Sequence, residues 1–411
     1  MSKKIEKLCP ITRVGHEKNE FFGYYNKTCF DTQDKRILAL QSEFKDALIE
    51  PSRSVDVGYF QGKSFIKLDS TKAWNFQMGS QLQWLGDERI IYNTRGEDDS
   101  YQACLLDIKT GQKTYYQRPL YSLAPRNDYY LSVNYDRLYI THKTIGYPRL
   151  AGPLQDLALA PKDDGIFRVD IKSRESRLLL SYQDLFDFHH EKSMEKALHW
   201  VSHIEINPSS RRVLFLHRWS ERVEDEFCFI HRLITMDEQG GKLRLLEDGE
   251  HPIAQLEKDF DPSAQGIYDY EKSDWQISHP MWKNDKEIIV WGPHAGHTGY
   301  QLYEDEEAGR VELLSPSLLS ENGHMSYSPV NERFLLTDTY PNEENIRELL
   351  IYDCQEDILY VIARLYVPQL IKENRCDLHP RWSHDGLRVC IDSVHEDCRG
   401  MYLLDVSSVV A

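Results

Sequence analysis

Four histidines between residues 203 and 379 stand at the same point of similar short segments. They are His203 in HIEINP, His279 in HPMWKN, His324 in HMSYSP and His379 in HPRWSH. Imidazole is a borderline ligand that suits Zn, Mn, Fe and Ni, and three converging imidazoles with open coordination positions form a catalytic metal site. A single histidine of this kind more often hydrogen-bonds to the backbone, but four at one register favour a site for a divalent metal, Mn or Zn.

Each of these histidines belongs to a strand–turn–strand unit. In the final unit, residues 379–383 alternate like a short strand, His384-Asp385-Gly386 forms a tight turn, and residues 387–394 and 401–406 continue as two further strands. This pattern predicts most of one β-propeller blade. Because the first strand of each blade lines the central channel, equivalent first-strand positions are expected to form a ring at the mouth of that channel.

Seven such units predict an all-β, seven-bladed β-propeller of four-stranded antiparallel blades, folded as a single domain over residues 1–411. The predicted blades lie near residues 21–70, 78–118, 119–183, 200–248, 276–315, 322–366 and 376–407, and the first strand of blade one is predicted over residues 24–30. The last blade has three strands of its own, so an N-terminal strand at 4–14 is expected to close it. A short helix is predicted over Asp184–Leu198, which is rich in helix-forming residues.

Charge and hydropathy narrow the functional classes. The formal net charge is −17, from 66 acidic and 49 basic residues, which disfavours a nucleic-acid partner. No stretch approaches about 18 uninterrupted apolar residues, and the N-terminus MSKKIEKLCP lacks the apolar run of a secretory signal. The eight cysteines have no CxxC spacing, which indicates reduced thiols. We therefore expect a cytoplasmic protein without a membrane segment.

A second set of polar residues is expected on the same face as the histidines. Gln81 occupies the histidine register in blade two. The loops expected between the second and third strands of blades two, three and four carry Asn93 and Arg95, Asn134 and Arg137, and His217 with Arg218. One such arginine alone would be a solvated charge, but together they predict a cationic rim that binds a carboxylate or sulfate through paired hydrogen bonds. Gln81, Asn93, Arg95, Arg137 and Arg218 are thus candidate substrate-binding residues.

Tyrosines near the start of the chain are further candidates. Tyr24 and Tyr25, with Tyr147 further along, offer ring faces for stacking against sugars, although packing in the core or on the surface is the commoner role of any one tyrosine. We also include Tyr25 among the candidate catalytic residues.

The repeated HPxWSxDG-type segment, spread over nearly the whole chain, resembles the oligogalacturonate lyases and related propeller-type polysaccharide lyases. The opening FFGYYNKTCFDTQDKRIL (Phe21 to Leu38) is also similar to that of ulvan-lyase-type propellers and of propeller proteins encoded with bacterial surface-polysaccharide genes. The resemblance implies a propeller that cleaves uronic-acid-containing glycans by β-elimination at a histidine-held metal. It implies His279, His324 and His379 as ligands and His203 as the base. The QxxHxH cluster of the oligogalacturonate lyases is absent from this chain.

The chemistry required for β-elimination agrees with these residue types. Removal of the proton α to a uronate carboxylate needs a base, and the charge that develops on the carboxylate must be neutralised by a metal or an arginine. We expect a polysaccharide lyase, or less favourably a hydrolase, that acts on an acidic oligosaccharide. The alternative is a non-catalytic propeller that binds an acidic glycan or a protein partner in bacterial surface-polysaccharide metabolism, because fold does not dictate function.

Overall fold

The computed structural model describes residues 2–16, 18–149, 157–221, 223, 229–248, 276–371 and 374–411. In this part of the chain seven antiparallel sheets follow one another, six with four strands and one with a fifth strand at its edge. The chain is the predicted seven-bladed β-propeller, and we number its blades one to seven in chain order. Residues 222 and 224–228 of predicted blade four lie outside the described residues.

Two short strands precede blade one. They are β1 (Lys3–Glu6) and β2 (Ile11–Arg13). Blade one contains β3 (Asn19–Phe21), β4 (Arg36–Ser42), β5 (Val55–Gln61) and β6 (Ser64–Thr71). Blade two contains β7 (Gln83–Trp84), β8 (Arg89–Arg95), β9 (Tyr101–Asp107) and β10 (Lys113–Tyr116).

Blades three to five form the middle of the chain. Blade three contains β11 (Ser122–Leu123), β12 (Tyr129–Ser132), helix α1 (Tyr135–Thr141), β13 (Gly165–Asp170) and β14 (Ser176–Ser181). Helix α2 (Tyr182–Asp187) and a 3₁₀ turn (Lys192–Met194) lead to blade four, with β15 (Leu198–Ile206), β16 (Arg212–Ser220), β17 (Ile230–Asp237) and β18 (Arg244–Glu247). Blade five contains β19 (Ser278–Trp282), β20 (Glu287–His294), β21 (His297–Glu304) and β22 (Val311–Leu313).

Blades six and seven complete the chain. Blade six contains β23 (Ser326–Tyr327), β24 (Phe334–Asp338), β25 (Ile346–Asp353) and β26 (Ile358–Tyr366). Blade seven contains β27 (Arg381–Trp382), β28 (Arg388–Ser393) and β29 (Gly400–Asp405), followed by helix α3 (Ser407–Val410). No described helix has both the length and the apolar character needed to cross a membrane.

The N-terminal arm completes blade seven and also extends blade six. Strand β2 pairs antiparallel with β29, with Ile11 opposite Leu404, and supplies the fourth strand of blade seven as predicted. Strand β1 instead pairs parallel with β26, with Lys3 opposite Ile358. The predicted strand 4–14 is therefore divided between two blades, and both outer strands are covered by an additional strand.

The chain divides into two compact units. The terminal unit comprises Met1–Arg95, Cys104–Tyr115 and Leu313–Ala411, and the central unit comprises Gly96–Ala103 and Tyr116–Glu312. In the terminal unit, Phe21, Leu38 and Cys390 belong to one buried apolar cluster, and in the central unit Leu216, Ile288 and Tyr303 belong to another. The single domain expected from the sequence stays a prediction.

Two local expectations are corrected by the structure. Residues 24–30 are not a strand, because β3 ends at Phe21 and only Phe30 forms an isolated bridge, to Ile37. Gly23 has a φ of +121°, and a Cβ there would lie 2.6 Å from the Gly79 nitrogen, so the chain leaves the sheet at a position that only glycine fits.

The predicted helix Asp184–Leu198 is shorter and displaced. Helix α2 begins at Tyr182, because Ser181 and Asp184 form a reciprocal capping box. His189 has a left-handed φ of +45°, which interrupts the helical backbone before the 3₁₀ turn. Strand β15 then begins at Leu198.

Candidate metal centre

One group of three metal-ligand side chains occurs among the described residues. It consists of His324, Asp377 and His379, whose ligand atoms all lie within 4.8 Å of one another. His324 precedes β23 of blade six, and the other two precede β27 of blade seven. All three side chains are buried, at 2%, 0% and 2% exposure respectively. The segments that lead into two first strands thus bring these residues together within the terminal unit.

The ring of His324 is held by Asp338 at the end of β24. The backbone N–H of His324 donates to Asp338 Oδ1 at 2.7 Å, and Nδ1 lies 2.9 Å from the same oxygen. Because a carboxylate only accepts hydrogen bonds, Nδ1 carries the proton and Nε2 keeps its lone pair. A carboxylate that orients a histidine in this way is typical of metal ligands.

His379 has the same tautomer but a different partner. Its Nδ1 donates to the carbonyl oxygen of Gly23 at 2.9 Å. Its Nε2 is buried and has no hydrogen-bond partner, although it lies 4.0 Å from Asp377 Oδ2. Burial, and then the neighbouring His324, lower the pKa of His379 well below its ordinary value, so the ring is neutral.

Asp377 supplies a carboxylate between two arginines. Arg347 Nη2 lies 2.8 Å from Oδ1, and Arg375 Nε lies 2.8 Å from Oδ2. Burial opposes ionisation, but Arg375 and Arg347 hold the pKa of Asp377 well below its usual range. The side chain is therefore ionised at neutral pH.

The donor set fits a divalent transition metal. Two imidazoles and one carboxylate suit Mn²⁺, Fe²⁺ or Zn²⁺ and leave coordination positions open. Two metal–ligand bonds of about 2.1 Å place the ligand atoms at most about 4.2 Å apart, and the 4.0 Å between Asp377 Oδ2 and His379 Nε2 lies within this limit. The buried Nε2 of His379, which lacks a hydrogen-bond partner, is the sign that a ligand belongs here.

Sequence reasoning missed Asp377. The signal was the spacing Asp377-Leu378-His379, because residues two apart on an extended segment point to the same side. A carboxylate next to a histidine of the shared register was therefore readable as a ligand pair. The repeat itself does not mark Asp377, because only the histidines recur from blade to blade.

Two tyrosines pack against the histidines. The Tyr24 ring lies 4.9 Å from that of His379, and the Tyr25 ring lies 5.3 Å from that of His324, between centroids. Both tyrosines are buried. Tyr25, a predicted catalytic residue, thus lies beside the metal-ligand group.

The loop that carries these tyrosines is anchored to blade seven. Asp392 Oδ2 accepts hydrogen bonds from the backbone nitrogens of Phe22 and Gly23, at 3.0 and 3.1 Å. Arg381 Nη2 donates to Asp392 Oδ1 at 2.6 Å, and Arg381 Nη1 donates to the Gly23 oxygen at 3.0 Å. The Gly23 carbonyl, which fixes the His379 tautomer, is therefore held in place by the buried ion pair of Arg381 and Asp392.

The register found in the sequence corresponds to a shared backbone conformation. Gln81, His203, His279 and His379 have φ values of +56°, +52°, +54° and +44°. Strand pairing shifts register at two of these positions, between Ser202 and Glu205 and between Ser278 and Met281. Left-handed backbone at residues other than glycine costs energy and is concentrated at functional sites. The backbone of four blades therefore bends at this position, within the first strand at His203 and His279 and just before it at Gln81 and His379.

The other two predicted histidines lie together in the central unit. The rings of His203 and His279 are 6.3 Å apart between centroids, and both residues are buried. The His203 N–H donates to the Tyr121 hydroxyl at 2.9 Å, and its Nδ1 lies 3.0 Å from Ser202 Oγ. The predicted roles of His203 as base and of His279 as ligand stay predictions.

The predicted cationic rim is corrected in its placement. Arg137 lies in α1, buried, and pairs with Asp164 at 3.1 Å. Arg218 lies inside β16, buried, and donates to His142 Nδ1 at 2.9 Å. Neither residue is in a loop, because a helix follows β12 and because β16 continues to Ser220. Their predicted contacts with substrate stay predictions.

The blade-two candidates lie on or next to its inner strands. Arg95 ends β8, half-buried, and Asn93 is buried in the same strand, where its N–H donates to the Ser80 oxygen at 2.7 Å. Gln81 is fully buried, and neither atom of its amide has a hydrogen-bond partner. An unsatisfied buried amide is costly, so Gln81 remains the strongest binding candidate of this set.

Comparison with solved structures agrees with the fold class defined above. An oligogalacturonate lyase from Vibrio parahaemolyticus superposes with a TM-score of 0.63 at 12% identity, covering 97% of this chain and 94% of that chain. An oligogalacturonate lyase in complex with manganese gives 0.64 at 14% identity, covering 98% of both chains. At these identities the likeness concerns the fold, which is shared over nearly the full length of each chain.

The remaining comparisons add no closer likeness. A prolyl endopeptidase structure superposes with a TM-score of 0.49 at 10% identity, and the matched region covers 96% of this chain and 47% of the endopeptidase chain. No family model and no curated protein sequence matches this chain.

Proposed function

We propose that this chain is a carbon–oxygen lyase that cleaves uronic-acid-containing oligosaccharides by β-elimination. The observation that carries the proposal is the buried group of His324, Asp377 and His379, with their ligand atoms within 4.8 Å of one another. The likeness of the fold to oligogalacturonate lyases supports the same class of activity.

His324, Asp377 and His379 would hold the metal. A divalent ion there would neutralise the charge that develops on the substrate carboxylate as the α-proton leaves. Mn²⁺ fits the mixed nitrogen and oxygen donors, and one similar oligogalacturonate lyase is in complex with manganese. Zn²⁺ is the second candidate.

The chain's own residues prepare this site. Asp338 and the Gly23 carbonyl fix the tautomers of His324 and His379, so that both Nε2 atoms are unprotonated. The buried rings of Tyr24 and Tyr25 cover the histidines and limit the access of water to them. Gln81, with its unsatisfied amide, would donate or accept a hydrogen bond with a substrate hydroxyl.

Tyr25 is the candidate base within the terminal unit. In its ionised form it would accept the proton from the carbon α to the carboxylate; the electron pair of that bond forms the new carbon–carbon double bond, and the bond to the glycosidic oxygen at the next carbon breaks. The departing oxygen then takes up a proton.

The direct test is incubation of the protein with oligogalacturonate and ulvan oligosaccharides in the presence of Mn²⁺ or Zn²⁺. We expect an unsaturated product detected by ultraviolet absorbance, lost in His324→Ala and His379→Asn. His384→Ala is the matched control, because this half-exposed histidine of blade seven also bonds to a carboxylate, Asp34 at 2.8 Å. No product from any uronate substrate would contradict the lyase proposal. Glycan binding that is unchanged in His324→Ala would favour the non-catalytic alternative.

A further inference from the structure

The two arginines that hold Asp377 differ in how accessible they are. Arg347 contacts Oδ1 and its side chain is 4% exposed, whereas Arg375 contacts Oδ2 and is 24% exposed. Asp377 Oδ2 is also the oxygen that lies 4.0 Å from the unpartnered Nε2 of His379. The more exposed arginine therefore holds the carboxylate oxygen that lies 4.0 Å from His379 Nε2, and we take this oxygen as the metal ligand.

A divalent cation and Arg375 would compete for this oxygen. Two cations close to one carboxylate oxygen repel each other, and the repulsion is strong in a buried site. Asp377 keeps its contact with Arg347 through the other oxygen, so the carboxylate remains oriented when Arg375 leaves. Metal binding thus weakens the ion pair between Arg375 and Asp377.

We propose that Arg375 is the residue that binds the carboxylate of the acidic substrate, and that it becomes available when a metal takes Asp377 Oδ2. The planar guanidinium matches a carboxylate through two parallel hydrogen bonds. The released arginine would add a second positive charge beside the substrate carboxylate, where negative charge develops during β-elimination. This inference rests on the proposed function and adds a specificity residue to it.

Arg347 cannot take this role, because it is fixed inside blade six. It lies in β25, its Nη1 donates to the Thr339 oxygen at 3.4 Å, and its guanidinium lies 5.7 Å from the Tyr340 ring centroid. The structure therefore assigns different tasks to the two arginines. Arg347 neutralises Asp377 permanently, and Arg375 does so only until the metal binds.

The replacement of Arg375 by a metal at Asp377 couples the binding of the metal to the binding of an acidic sugar. If the metal releases Arg375, it raises the affinity for an acidic sugar, and by thermodynamic linkage the acidic sugar raises the affinity for the metal by the same factor. A neutral sugar has no carboxylate for Arg375 and shows no such coupling.

The first test measures Mn²⁺ affinity by calorimetric titration of the full chain. We expect Arg375→Gln to bind Mn²⁺ at least about tenfold more tightly than the wild type, because the competing charge is gone. The matched control is Arg36→Gln, which removes an arginine of similar exposure, 21%, paired with Asp31 at 2.7 Å in the same unit. It should leave Mn²⁺ affinity unchanged.

The second test measures galacturonate binding with and without Mn²⁺, with galactose as the neutral comparison. In the wild type Mn²⁺ should tighten galacturonate binding, and in Arg375→Gln this dependence should disappear. Arg375→Lys keeps the charge but not the planar fork, so it should keep the wild-type Mn²⁺ affinity and bind galacturonate more weakly. Thermal unfolding of each variant verifies that it is folded.

The outcomes separate this inference from the proposal on which it rests. Mn²⁺ affinity in Arg375→Gln equal to or below that of the wild type overturns the release of Arg375 alone, and so does galacturonate binding that ignores Mn²⁺. A wild-type protein that binds no Mn²⁺ overturns the metal centre and the inference together.

Discussion

Two histidine pairs in this molecule are both buried and differ in their hydrogen bonds. In the central unit, Arg232 Nε donates to His217 Nδ1 at 3.1 Å, His217 and His199 join ring nitrogens at 2.9 Å, and His199 Nε2 lies 3.1 Å from the Met194 oxygen. Because Arg232 only donates, each ring must pass one hydrogen bond to the next group. Every ring nitrogen of this pair is occupied.

In the terminal unit the corresponding series of hydrogen bonds leaves one ring nitrogen without a partner. The Nδ1 atoms of His324 and His379 donate to Asp338 and Gly23, and His379 Nε2 has no partner. Burial is nearly complete in both pairs and so does not distinguish them. A buried histidine with an unused lone pair is thus a candidate ligand, whereas a histidine pair in which every ring nitrogen has a hydrogen-bond partner has a structural role.

The largest expected effect is the loss of metal binding in His379→Asn. Asparagine tolerates the left-handed backbone at this position but is too short to replace Nε2. Because loss of a residue that merely orients a ligand costs about 10–100-fold in metal affinity, loss of the ligand itself should lower Mn²⁺ affinity by at least about 100-fold. Calorimetric titration checks this, and wild-type affinity would remove His379 from the site.

A substitution in the pair of His199 and His217 should lower the stability of the fold and leave metal binding unchanged. His217→Phe leaves the Arg232 Nε–H without its acceptor in a buried position, which should lower the free energy of unfolding by about 3 kcal/mol. Urea unfolding measures the loss, and Mn²⁺ affinity should stay at the wild-type value. A stable His217→Phe variant with weakened Mn²⁺ binding would reverse the assignment of the two pairs.

Asp338→Asn tests the orientation of His324. The amide that replaces the carboxylate no longer enforces the tautomer with a proton on Nδ1, so Mn²⁺ affinity should fall by about tenfold, less than in His379→Asn. Asp34→Asn is the control, because Asp34 holds the half-exposed His384 outside the metal-ligand group. Equal Mn²⁺ affinities of Asp338→Asn and the wild type would contradict the role of Asp338.

The last prediction concerns the pH dependence of stability. Burial lowers the pKa of His199 to about 4, and burial with Arg232 holds the pKa of His217 well below its usual value. The unfolded chain, with histidine pKa values of about 6.5, binds protons that the folded pair resists, so stability is complete above pH ~6.5 and is lost as pH falls towards ~4. Each such histidine contributes a slope of about 1.4 kcal/mol per pH unit.

His199→Gln should remove one histidine's share of this slope, because glutamine can accept from His217 and donate to the Met194 oxygen without titrating. Urea unfolding at several pH values between 4 and 6.5 measures the slope, with His384→Gln as the exposed control. Parallel profiles for His199→Gln and the wild type would show that this pair does not titrate on unfolding.

The fold was more predictable than the site. The strands of blade two, the closure of blade seven and the bend at the histidine register follow from alternation, turn residues and repeated spacing. The predicted strand 24–30 is wrong, because its Tyr, Thr and Phe residues favour strands, whereas the constraint on the backbone at Gly23 comes from Gly79, which is distant in sequence. Arg137 and Arg218 were placed in loops because the sequence does not show their buried partners.

The sequence by itself determined the seven blades, the closing N-terminal arm and the first-strand position at which His203, His279 and His379 stand. These depend on signals within a few residues of one another, repeated along the chain. Only the tertiary structure decided that Asp377 joins His324 and His379, that Tyr24 and Tyr25 cover them, and that Arg375 holds the shared carboxylate. The reason is that these contacts join side chains far apart in sequence, whose distances and unused lone pairs exist only after the blades have packed.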